Sequence, residues 1–160
     1  MTPRSVNIHA SCVAIRDRGV LILGGSGAGK SDLALRLIDD GAKLVADDRT
    51  ELTVERNKLC ARAPKSIAGL IEVRGLGIVA LPFAAKAVIA LAVKLGTVVE
   101  RLPAPATYAP PRPLKLVKPP PFILLDSRSP STPATATGQA MAPFPLRVLG
   151  RCSNATTIGV

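Results

Sequence analysis

Residues 24–31 read Gly-Gly-Ser-Gly-Ala-Gly-Lys-Ser, a string whose residue types suit the grip of a phosphate chain. Gly24, Gly29, Lys30 and Ser31 occupy every fixed position of the Walker A pattern. The chemistry accounts for the spacing. Glycines (Gly24, Gly25, Gly27, Gly29) let the backbone turn its N–H groups inward around an anion, with Ser26 and Ala28 as small fillers. Lys30 can reach the β- and γ-phosphates, and the Ser31 hydroxyl can ligate Mg²⁺. At average glycine usage a chance match in a chain of this size is about a one-in-a-hundred event. The flanking sequence lowers that further, so ATP and Mg²⁺ are the expected ligands.

A phosphate loop binds nucleotide but does no chemistry by itself. Phosphoryl transfer also needs a carboxylate that holds the metal and a group that orients or deprotonates the nucleophile. Asp47-Asp48 ends the apolar run Lys43 to Ala46. Strand C-termini line the ligand crevice of an open α/β sheet. Adjacent carboxylates on a strand point in opposite directions, so one of the two faces the phosphates. A polar turn with Asp capping is the plain alternative. Glu72 lies in the apolar run Leu70 to Val73, where a carboxylate needs a metal or a partner; Arg74 at i+2 is the obvious partner. His9 is the only histidine, and taken alone reads as structural.

The elements that position these residues follow from pattern. Residues 6–15 are β-rich and read as one strand. Val20 to Leu23 is a buried strand feeding the loop. Lys30 to Asp40 places Leu33, Leu37 and Ile38 on one face and Asp32, Arg36 and Asp39 elsewhere, an amphipathic helix ended by Gly41. Lys43 to Ala46 is a strand, and Glu51 to Val54 with Lys58 to Arg62 form a hairpin turning at Arg56-Asn57. Leu70 to Val73 and Ile78 to Leu81 are strands around Arg74-Gly75-Leu76-Gly77. Ala87 to Val93 suits helix by its alanines and strand by its valines and isoleucine.

The chain has 160 residues, suiting one domain, with a formal charge of +10. Ten of its eleven acids lie at or before Glu100. That balance attracts phosphates, nucleotides, nucleic acid or an acidic partner. Aromatics at 2% argue against stacking on single-stranded nucleic acid. Cys12, Cys60 and Cys152 suggest neither a disulfide framework nor a zinc site. No signal peptide or spanning segment is visible, and a reducing cytoplasm is the expected compartment. Twelve of the fifteen prolines fall between Pro103 and Pro145. That stretch reads as extended or disordered, with one strand at Phe122 to Leu125.

Taken together, Ile8-His9-Ala10, the string 24–35, Leu-Val-Ala-Asp-Asp at 44–48 and Ile-Glu-Val-Arg-Gly-Leu-Gly-Ile at 71–78 resemble the catalytic domain of HPr kinase/phosphorylase. The resemblance runs from about Val6 to Leu102. It implies an α/β P-loop kinase domain over residues 1–102, with a mostly β core and a Walker A loop–helix, followed by a proline-rich segment over 103–160 that is partly disordered or divergent. It implies an ATP- and Mg²⁺-dependent serine kinase acting on the phosphocarrier HPr, reversible by phosphorolysis, cytoplasmic and hexameric. Asp48 would be the general base, Lys30 would stabilise the transferring phosphoryl group, and Ser31 and Glu72 would hold Mg²⁺. His9 would orient the acidic pair, and Arg101 is the best match to a catalytic arginine. The chain looks like the short form without a separate N-terminal domain. Pro111-Arg112-Pro113 is only an echo of the family's phosphorolysis loop, and the C-terminal helices that dock HPr and the neighbouring subunit have no counterpart in the tail. On residues alone, another small P-loop kinase or NTPase, and a nucleotide-sensing regulator without catalysis, stay open.

Overall fold

A computed structural model describes residues 4–97 and 104–126. In chain order the strands are β1 (Ser5–His9), β2 (Ser11–Ile15) and β3 (Arg18–Leu23), then helix α1 (Lys30–Asp39). These are followed by β4 (Lys43–Ala46), β5 (Arg49–Glu55), β6 (Lys58–Arg62), β7 (Leu70–Val73), β8 (Gly77–Ala80), β9 (Ala87–Gly96), β10 (Ala106–Thr107) and β11 (Pro121–Asp126).

The main sheet runs β1-β5-β6-β9-β3-β2-β4, and β7 and β8 form a separate hairpin. The architecture is a curled, mostly β sheet with a single α-helix among the described residues. β3 lies parallel to β9, because the chain leaves β3 through α1 and returns only after five further strands of the main sheet and hairpin have been laid down. β9 is long enough to take β6 along its first residues and β11, in parallel, along Ala92 to Gly96.

Both faces of the central strands are buried, which explains their nearly continuous apolar sequence. On one face Val13, Val20, Ile22, Leu91 and Val93 pack against Leu33, Ala34 and Leu37 of α1 and Ile71 of β7. On the other, Cys12, Leu21, Val45, Leu52, Leu59 and Ala92 form a second core that takes in Leu114. A bulge sets the faces of β9. Gly19 pairs with Ile89 but Val20 with Leu91, so Ala90 is extra and Ile89 and Leu91 point to opposite cores. This resolves the stretch whose alanines and valines left helix and strand open: it is strand, extended to Gly96.

Three further sequence expectations are refined. The helix ends at Asp39, and its close is a Schellman turn: Gly41 N–H donates to Ile38 O (2.9 Å), Ala42 N–H to Leu37 O (2.9 Å), and Gly41 has φ 101°. The β5–β6 hairpin turns on Arg56 and Asn57, both at positive φ, as the twist of a two-residue hairpin demands. Residues 6–15 are not one strand. Ala10 separates β1 from β2, because β1 pairs with β5 whereas β2 pairs with β4. Thr50 pins the break by donating its hydroxyl to Ala10 O at 2.7 Å. Beyond residue 103, the expected strand at 122–125 is β11; β10 was not foreseen.

Candidate active site

Two chain corners lie side by side. β1 turns into β2 at Ala10, and its partner β5 is reached from β4 through Asp47 and Asp48. The corners therefore bring His9 and Ser11 from one chain segment against Asp48 and Asp47 from the other. Asp48 takes φ 62°, a left-handed conformation that Asp tolerates better than most residues, and this helps turn the chain. Arg49 N–H closes the turn on Asp47 O at 2.7 Å.

The two carboxylates separate as expected for adjacent strand-end residues. Asp47 is buried at 4% exposure. Its Oδ1 accepts the hydroxyls of Ser11 (2.7 Å) and Ser31 (2.8 Å), and its Oδ2 accepts the backbone N–H of Glu72 (3.2 Å). One carboxylate thus joins β2, the first turn of α1 and β7. Asp48 faces outward. Its Oδ1 is 2.8 Å from His9 Nε2, with the two side chains 66% and 46% exposed. A neutral His9 donates from Nε2 and leaves Asp48 Oδ2 clear.

The loop 24–29 leaves β3 and enters α1. Gly24 takes φ 155°, and a side chain there would press on Ala28 Cβ at 3.1 Å and Leu95 O at 3.3 Å. Gly29, the residue before the helix, has φ 94°, and no side chain caps the first helical N–H groups. Those donors are left for an anion, with the positive end of the helix behind them. Lys30 is buried at 7% exposure and bends back over the loop, donating to Gly24 O (3.1 Å) and Gly25 O (2.9 Å). An ammonium has three donors, so one is uncommitted.

Of the residues singled out in sequence, Gly24 to Ser31 and Asp48 with His9 are joined to one another through Asp47 and the Ser31 bond. Glu72 reaches this group by its backbone. Its side chain is exposed, and no ion pair links it to Arg74 among the described residues. Arg101 lies outside the described residues. Sequence reasoning passed over Ser11 and did not choose Asp47 from the acidic pair. The available signal was a lone hydroxyl in the otherwise apolar strand Ser11–Ile15, every residue of which is buried. No three His, Cys, Asp or Glu side chains among the described residues form a metal-holding group. No helix of the described residues is long and apolar enough to cross a membrane.

A curled, mostly β sheet carrying one glycine-rich loop and helix, with a paired acid at the next strand's end, defines the class of domain. The chain belongs to the HPr Serine kinase C-terminal domain family, whose model matches residues 2–98. It is similar in structure to the Hpr(Ser) kinase/phosphatase from Coxiella burnetii, with a TM-score of 0.64 and 30% sequence identity. That match covers 76% of this chain and 85% of the other.

Proposed function

We propose that this chain is an ATP- and Mg²⁺-dependent serine kinase whose acceptor is HPr or a related phosphocarrier protein. The observation that carries this reading is the division of labour between adjacent carboxylates: buried Asp47 bonded to the Walker serine, and exposed Asp48 bonded to His9. The loop amides and the start of α1 cradle the phosphates. Lys30 gives its uncommitted donor to a phosphoryl oxygen and stabilises the charge that spreads there during transfer. Asp48 accepts the proton of the acceptor serine on Oδ2, while His9 holds Oδ1 and fixes the carboxylate's orientation.

The donor set fits a hard cation. Ser31 gives its proton to Asp47 and keeps oxygen lone pairs for Mg²⁺, and the Glu72 backbone N–H bonds the same Asp47 carboxylate, which sets Glu72 beside it in the chain fold as the further candidate ligand. A Mg²⁺ ion needs few protein ligands because nucleotide phosphates and water supply the rest. When bound, it would neutralise charge between the β- and γ-phosphates. Residues 1–102 would form the catalytic unit, with Arg101 as a further cation for the phosphoryl group.

The test is incubation with labelled ATP, Mg²⁺ and HPr, followed by added inorganic phosphate. Label on an HPr serine is the expected result, and its loss on adding phosphate would extend the activity to phosphorolysis. Nucleotide binding without transfer to a phosphocarrier would overturn the kinase reading in favour of a regulator. ATP consumption without a protein acceptor would point to another P-loop NTPase.

A further inference from the structure

Ser11 stands apart from its strand. Its neighbours Cys12, Val13, Ala14 and Ile15 are apolar and buried, and Ser11 itself is fully buried. A buried hydroxyl is costly unless bonded. Here its proton goes to Asp47 Oδ1 at 2.7 Å, the same oxygen that receives the Ser31 proton at 2.8 Å. No other side chain reaches Asp47 among the described residues, since the remaining donor is the Glu72 backbone N–H on Oδ2.

We propose that Ser11 is a positioning residue for the cation-holding edge of the site: its hydroxyl fixes the Asp47 carboxylate, which in turn fixes the direction of the Ser31 lone pairs. This rests on the Mg²⁺–nucleotide reading above. Without Ser11 the carboxylate keeps Ser31 on Oδ1 and only the longer Glu72 N–H bond on Oδ2, so its terminal torsion, which is broad for Asp, is held less tightly. The Ser31 hydroxyl would follow it and turn its lone pairs away from one direction. With Ser11 on β2, Ser31 on α1 and Glu72 on β7, three elements hold the carboxylate plane, and the Ser31 hydroxyl can donate in only one way. The fixed hydroxyl suits a cation and not a proton acceptor, because its own proton is already committed and only its lone pairs are left to offer. Ser11 touches neither nucleotide nor acceptor in this arrangement; it acts through Asp47.

The measurement is binding of a fluorescent ATP analogue as Mg²⁺ is titrated, with thermal melting in cation-free buffer alongside. Wild type is expected to bind the nucleotide weakly without Mg²⁺ and more tightly with it. Ser11→Ala is expected to raise the Mg²⁺ concentration for half of that tightening about fivefold to tenfold, the scale of one ordinary hydrogen bond, with Mg²⁺-free affinity unchanged. In a Ser31→Ala background the same substitution should add nothing, because the lone pairs it steers are gone. An unchanged Mg²⁺ half-point in Ser11→Ala overturns the proposal. So does an equal loss of affinity with and without Mg²⁺, which would mark a purely structural serine. Should Ser11→Ala not fold, Ser11→Cys, a near-isostere with a weak donor, takes the same titration and the same two readings. Failure of wild type to bind nucleotide at all would instead sink the nucleotide reading, so the two failures are told apart.

Discussion

Asp47 and Asp48 are chemically identical neighbours, and their surroundings alone make them different. Asp47 is buried and accepts three hydrogen bonds, while Asp48 is two-thirds exposed with one oxygen on His9. If Asp48 is the base, Asp48→Asn removes the proton acceptor but keeps a side chain that tolerates φ 62°. Transfer to HPr should then fall about 10²- to 10⁴-fold, with nucleotide affinity unchanged by fluorescence titration. Asp48→Ala should lose transfer equally but also melt earlier, because alanine in the left-handed region costs about 1–2 kcal/mol. Equal melting of the two variants would show that the corner carries no backbone strain. Lys30 tests the donor side. Lys30→Ala removes the ammonium that spans Gly24 O and Gly25 O, so both nucleotide affinity and transfer should drop. Retained affinity in that variant would count against the loop as the phosphate cradle.

At the scale of elements, the β5–β6 hairpin offers a pH-dependent check. Glu51 and Arg62 stand directly opposite in register and are joined by two hydrogen bonds, at 2.9 and 3.0 Å. The Arg62 guanidinium holds the Glu51 carboxyl below its ordinary value of 4.5. A depressed carboxylate contributes stability that is present above the ordinary value and is lost as pH falls through the folded one. Glu51→Gln should therefore lower stability near neutral pH by about 0.5–1 kcal/mol, the range for a partly exposed pair. The difference from wild type should vanish as pH drops below 4.5 in urea melts. What could be foreseen at this scale follows locality. The glycine-rich turn from β3 into α1, the helix with its Gly41 close, β4 and the β5–β6 hairpin are written in contiguous residues, and each was readable. The break at Ala10 was not, because Val6 to Ile15 is uniformly β-forming and the cut comes from Thr50, forty residues on. Ala90 hid the strand character of β9 for a related reason: an extra residue destroys the period of two on which strand patterns depend. Ser11 offered only the faint signal of a lone hydroxyl in an apolar strand, and its partner Asp47 lies thirty-six positions away in the chain.

For the whole molecule, the question is where the folded unit ends. The family model stops at residue 98, yet the sheet does not. β11 pairs in parallel with Ala92 to Gly96 of β9, Leu125 enters the core beneath α1, and Leu114 enters the core on the other face. Tyr108 and Phe122 stack at 6.5 Å, and Asn57 at the β5–β6 turn accepts the Val117 N–H at 3.0 Å, so the segment is fastened at several points. A chain ended at Gly96 would keep every candidate site residue except Arg101. It would also bare the β9 edge and remove two buried leucines, each worth about 1.5–3 kcal/mol of burial. Relative to a chain ended at Asp126, it should lose about 3–6 kcal/mol on those leucines alone. It should also scatter light at lower concentration, since a five-residue unpaired edge can pair between molecules. Chemical denaturation of the two chains side by side decides the matter. Equal midpoints would mean that residues 104–126 lie on the domain without supporting it, and that the site is held by β1 to β9 alone.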